Sequence, residues 1–277
     1  MIKSQIKLLW KRREFILTFF IMTVISLGSF LFNCFRQNGF DVMQALSADK
    51  LFIGRSYNNE LFILLQFLLP LLAVIPFSDS YLLEKQLNIL PCLLTRTSAT
   101  RYLFAKMAAV SLSAAAVVFV PFLLNFILGL IAFPAESINY SFHALASVDS
   151  TYRSSYAENI LFPELFFKNP YLYNFVFLLL LTAFCALLAV ITFQVSFTFT
   201  RNKILLLALP FIGNNFLIIV GAFGLGLNPS PFSYLFSFDD PPGKFAPYLP
   251  FLFAAMLAAV IFLTPRCLNR LKSIEKG

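Results

Sequence analysis

Residues 171–200, YLYNFVFLLLLTAFCALLAVITFQVSFTFT, run for thirty positions without a Lys, Arg, Asp, Glu or His. About 20 apolar residues in a helix cross a hydrocarbon core about 30 Å thick, so this stretch reads as a membrane-spanning helix. Five further stretches share the property: Phe15–Phe35, Leu61–Ser78, Met107–Phe133, Ile204–Phe238 and Phe245–Pro265. Every charged residue therefore lies between or beyond these runs. With 59% hydrophobic residues and a mean hydropathy of +0.81, the 277-residue chain is far from soluble composition. The expectation is an all-α polytopic membrane protein, one domain over residues 1–277, with six transmembrane helices.

The charges around the runs predict orientation. If the first run leads outward, the inner segments hold fifteen of the twenty-one Lys and Arg residues: Lys3, Lys7, Lys11, Arg12, Arg13, Lys85, Arg96, Arg101, Lys106, Arg201, Lys203, Arg266, Arg270, Lys272 and Lys276. The outer segments keep Arg36, Lys50, Arg55, Arg153, Lys168 and Lys244. Basic residues favour the cytoplasmic side, which places both termini in the cytoplasm and the chain in the cytoplasmic membrane. The formal charge of +8 is spread over short loops, not gathered on one face or arm, and so argues against nucleic acid as a partner. The basic start and apolar core resemble a secretory signal, but the apolar run is long and lacks a small-residue cleavage site, so it is read as a retained span.

Walking the chain adds detail. Residues 1–14 form an amphipathic interfacial helix, with Ile2, Ile6, Leu9 and Trp10 on one arc and Lys3, Lys7, Lys11 and Glu14 on another, its lysines toward anionic lipid. Arg36–Glu60 reads as a polar outer loop, and 134–170 as a large outer loop holding the single histidine, His143. That histidine has no partner at metal-ligand spacing. The 35 residues of Ile204–Phe238 exceed one crossing. Gly221, Gly224, Gly226, Pro229 and Pro231 mark a break, after which Pro231–Phe238 forms a short outer or re-entrant element. Cys34, Cys92, Cys185 and Cys267 offer no outer pair for a disulfide and no metal-ligand spacing.

Chemistry is sparse. Ion-driven carriers and membrane enzymes use ionisable side chains inside the membrane, and these runs have none. Their polar content is neutral: Gln66, Asn125, Asn174, Gln194, Asn214 and Asn215, able to line a path or to join helices. No G-x-x-x-x-G-K-[ST] loop occurs, since Gly243-Lys244 is followed by Phe245. No catalytic residue and no metal ligand is assigned.

Residues 79–106 read DSYLLEKQLNILPCLLTRTSATRYLFAK: an amphipathic helix stopped near Pro91, then a basic stretch entering the third span. Leu82, Leu83, Leu87, Ile89 and Leu90 leave more apolar surface than a solvated loop holds comfortably, so the segment should dock on lipid or a partner. Its pattern of Glu84, Leu87, Leu90, Leu93, Leu94, Arg96, Thr97, Ser98, Arg101, Tyr102 and Lys106 resembles the permease subunits of type 2 ABC exporters, the class sharing the ABCG-type (type V) fold.

That resemblance implies two permease subunits, identical or different, working with two copies of a separate ATPase subunit that carries the ATP and Mg. This chain then holds no cofactor and is no enzyme by itself. Tyr81–Leu90 becomes a cytoplasmic coupling helix with Tyr81 among its coupling residues, in which the leucines, Leu83, Leu87 and Leu90 among them, fill a cleft of the ATPase while Glu84 and Lys85 touch its rim. Second and fifth spans line the path, making Gln66, Phe67, Phe211, Asn214, Asn215 and Phe216 its candidate residues. The function expected is ATP-driven export of an apolar or amphipathic substrate: peptide, lipid-like or drug-like. Two other classes stay open: an ATP-independent carrier or channel for a neutral or amphipathic solute, and a membrane peptide-binding or immunity protein.

Overall fold

The computed structural model describes residues 2–41, 45–55, 60–135, 161–199, 202–221, 223, 230–236 and 248–276. His143, expected as a surface histidine of the large outer loop, lies outside the described residues. The described elements are α1 (Ile2–Leu9), α2 (Arg13–Gln37), α3 (Glu60–Val74), α4 (Ser80–Gln86), α5 (Leu90–Arg96), α6 (Ala99–Ala132), α7 (Pro163–Lys168), α8 (Pro170–Ser196), α9 (Lys203–Val220), a 3-10 turn at Pro231–Ser233, and α10 (Tyr248–Lys276). Helices α2, α6, α8, α9 and α10 are long and apolar enough to cross a membrane, which makes this a multi-span helical membrane protein. Of these, α8 is the most buried and packs on α6, α10, α3 and α9. The bundle has one end, the base, where α2, α6 and α9 begin and α8 and α10 finish.

The second apolar run departs from the expected full-length helix. Helix α3 has only 15 residues, about 22 Å at 1.5 Å each. Pro76 supplies no N–H, and the backbone turns through residues 75–79 toward α4. At its other end, Leu61 lies level with Gly28, near the middle of α2.

The rest of the bundle height beside α3 is filled by residues 45–55, which the sequence assigns to a polar outer loop. Ala45, Ala48, Leu51, Phe52 and Ile53 are all buried, as are Asp49 and Arg55. Irregular backbone is stable in a membrane protein only where protein satisfies its polar groups. Here Asn33 Nδ2 donates to the Leu51 carbonyl (2.8 Å), Asn174 Nδ2 donates to the Asp49 carbonyl (2.8 Å), and Ile53 N–H donates to Asn125 Oδ1 (3.0 Å). Asn125 Nδ2 also donates to the Ser26 carbonyl on α2 (2.9 Å). The Asp49 carboxylate meets Arg55 Nη1 at 2.5 Å, and the guanidinium lies 5.1 Å from the Phe166 ring. The two charges that suggest solvent thus neutralise one another inside the fold. Gly54 is required by close approach, because a Cβ there would stand 2.5 Å from the ring of Phe52, itself wedged edge-on to Phe122 and Phe126.

Past α9, which ends at Val220, Ser230–Phe236 folds back as a short buried element. Phe232 packs edge-on against Phe184 of α8 at 5.2 Å.

Candidate functional site

The ionisable groups at the base converge instead of facing water. The turn after α3 is pinned first by Ser78, whose hydroxyl donates to the Ala189 carbonyl of α8 (3.1 Å). That anchor sets the next residue, Asp79, fully buried between two cations. Arg12 Nη2, from the joint of α1 and α2, is 2.9 and 3.1 Å from its two oxygens, and Lys203 Nζ, the first residue of α9, is 2.6 Å from Oδ2. Glu14 stands behind both cations at 3.5–3.6 Å. One carboxylate therefore ties the feet of α2 and α9 to the start of α4.

A second knot lies one turn along α4. Glu84 accepts from Lys106 Nζ (2.6 Å) and from the Tyr102 hydroxyl (2.5 Å), both on the first turns of α6. Lys106 is completely buried. Phe77 joins the knots, its ring 4.9 Å from Lys106 Nζ and 5.1 Å from the Arg12 guanidinium carbon. A desolvated cation over an aromatic face gains up to about 2 kcal/mol, so the ring stabilises both cations without hydrogen bonds. Tyr81 completes the attachment: its ring stacks on Phe197 at 3.7 Å, just past α8, and Arg270 of α10 donates to the Phe197 carbonyl. Burial pushes the Tyr81 phenol above its usual range, so that stack stays uncharged.

The other face of the α4–α5 corner is free. Helix α4 ends in a Schellman motif: Asn88 takes a left-handed φ of 54°, its N–H donates to the Lys85 carbonyl, and Ile89 N–H donates to the Glu84 backbone carbonyl. Pro91 then sits in the first turn of α5. The expected helix Tyr81–Leu90 thus stops at Gln86, because the left-handed Asn88 caps it, and a second short helix begins only at Leu90 with Pro91 in its first turn. The corner leaves Leu83 37%, Leu87 58% and Ile89 43% exposed.

Of the residues expected to meet an ATPase, only Leu83, Lys85 and Leu87 face outward; Tyr81, Glu84 and Leu90 are buried within this chain. The expected path residues fall on α3 and α9, which pack together. Phe67 and Phe216 face outward, Gln66 and Phe211 are half-buried, and Asn214 is buried against Ser230, whose hydroxyl donates to Asn214 Oδ1 (2.7 Å). Asn215 Nδ2 donates to the Phe211 carbonyl in its own helix (2.9 Å). Gln194 joins α8 to α10 through the Val260 carbonyl (3.1 Å) and Thr264 Oγ1 (3.0 Å).

No protein-family model, curated protein or solved structure matches this chain. A functional reading therefore rests on its own geometry.

From sequence, Arg12 and Lys203 count only toward orientation, and Asp79 and Phe77 carry no site role. A signal existed: among fifteen cations on the expected inner segments stand only four acids, Glu14, Asp79, Glu84 and Glu275. Acids that scarce beside helix ends are the natural partners of buried cations. Among the described residues, no three His, Cys, Asp or Glu side chains are grouped as a metal site.

Proposed function

We propose that the chain is the membrane-spanning permease subunit of an ATP-driven exporter, powered by a separate ATPase that docks on the α4–α5 corner. The observation that carries this reading is the two-sided build of that corner. Its outer side is a bare apolar knob of Leu83, Leu87 and Ile89, and its inner side is bound by ion pairs to α2, α6 and α9. A surface loop that served only to connect helices would need neither side. A knob fixed rigidly to three long helices passes a push on it to all three, which is how a rigid-body transition is driven from outside the membrane.

In this reading the base faces the cytoplasm, as the basic residues predict. ATP and Mg belong to the ATPase, two copies of which serve two permease subunits. Leu205, Leu209, Ile212, Phe216 and Ile219 repeat at helical spacing along the outer face of α9 and offer the seam for the second subunit. Phe67 and Phe216, exposed on one chain, would then line a path between two. Such a lining suits an apolar or amphipathic cargo, which is pumped only if its affinity differs between the two states.

A photo-crosslinker at position 87 tests the docking. With Cys92, the exposed native thiol, replaced and Leu87→Cys labelled with benzophenone in native membranes, the expected adduct is a water-soluble, nucleotide-binding polypeptide. An adduct to lipid alone overturns the reading.

A further inference from the structure

We propose that Asn214 and Asn215 form the recognition point for an uncharged secondary amide of the cargo, which makes the cargo an apolar peptide. This rests on the reading of α9 as a path helix. Midway along α9, Asn214 is 5% exposed, and its Oδ1 is already taken by Ser230. Its Nδ2, also buried, has no acceptor among the described residues. The neighbouring Asn215 shows the complementary lack: Nδ2 is used by the Phe211 carbonyl, while its buried Oδ1 has no donor among the described residues.

A buried amide end without a partner is costly, and buried polar groups are almost always paired. Two such ends on adjacent residues, one a donor and one an acceptor, are a different matter from a single packing fault. They ask for a ligand group that accepts with one atom and donates with another. A carboxylate has no donor and an ammonium no acceptor, and neither charge finds a counter-ion on α9 beyond Lys203 at its foot. A hydroxyl can do both from one oxygen, but a secondary amide offers C=O and N–H on separate atoms, as the two side chains do. The helix is weakened nearby, because Pro210, one turn before Asn214, supplies no N–H to the Leu206 carbonyl.

The test is binding to the full chain in nanodiscs, without any ATPase. Radiolabelled N-acetyl-trileucine N-methylamide is compared with the analogue in which each backbone amide is an ester. Wild type should hold the amide at least about ten-fold more tightly, the worth of one buried hydrogen bond. Asn215→Leu, which removes the acceptor for the cargo N–H, should reduce that preference toward unity, while Asn214→Leu, which removes the donor to a carbonyl that both ligands keep, should weaken amide and ester alike. Equal binding of amide and ester by wild type, or an unchanged preference in Asn215→Leu, overturns the proposal even if Asn214→Leu fails to fold. The exporter reading fails separately: amide preference with no ATPase at position 87 leaves a peptide-binding membrane protein, and an ATPase without amide preference leaves an exporter of other cargo.

Discussion

Lys106→Met lowers the unfolding free energy by about 3–5 kcal/mol, and Glu84→Leu does the same, because each leaves the other charge buried without its partner. Lys106 has no exposed surface, and with Glu84 removed only the ring faces of Phe77 and Tyr102 remain to it, 4.9 and 5.9 Å away. Glu84 without Lys106 keeps one hydrogen bond, from Tyr102. The double variant Glu84→Leu/Lys106→Met recovers most of the loss, since volume is kept and no charge is stranded. The residual deficit is about 1–3 kcal/mol from the unpaired Tyr102 hydroxyl, which Tyr102→Phe then removes. Denaturation in mixed micelles across this cycle measures the coupling; strictly additive losses would mean the two side chains do not form the pair described.

Asp79→Asn releases the foot of α9 from α4. The side chain keeps its shape but loses the charge shared by Arg12 and Lys203, and the nearby Glu14 carboxylate, 40% exposed and 3.5 Å or more away, does not replace it. The separation of spin labels at position 86 on α4 and position 205 on α9 reports the change. Wild type should give one narrow distance distribution, and Asp79→Asn a broad one. An unchanged distribution would mean that packing alone holds α4 in place and that the ion knot transmits nothing. If the chain is the exporter subunit proposed above, the functional counterpart is a loss of coupling of about 1–3 kcal/mol, about 5- to 150-fold, with ATPase docking kept, because the Leu87 knob is untouched.

Much of the fold follows from charge placement in the sequence. The charge-free stretch at 171–200 is the central helix α8, and the glycines and prolines after Val220 mark the end of α9. The second crossing was not legible. Leu61–Ser78 has the length of a span, but Pro76 ends its helical conformation early, and residues 45–55 fill the bundle beside it. Leu51–Gly54 is too short an apolar cluster to read as membrane-embedded, and Asp49 with Arg55 reads as solvent-facing until their 2.5 Å pairing is seen. The partners that satisfy this backbone, Asn33, Asn125 and Asn174, come from three different helices. No local pattern announces such a set. At the base, the apolar excess of Leu83, Leu87 and Ile89 was readable from composition, whereas the inward turn of Glu84 was not. Its contacts lie on α6, about twenty residues away, and depend on where the Asn88 cap stops α4.

The most direct measurement is nucleotide hydrolysis in material eluted with the affinity-tagged full chain from its native membrane. Power drawn through the α4–α5 corner requires that ATP hydrolysis co-elute with wild type and vanish with Leu87→Asp at equal yield and equal thermal stability. A wild-type eluate that carries solute across vesicles on an ion gradient, with no ATP hydrolysis, would contradict it.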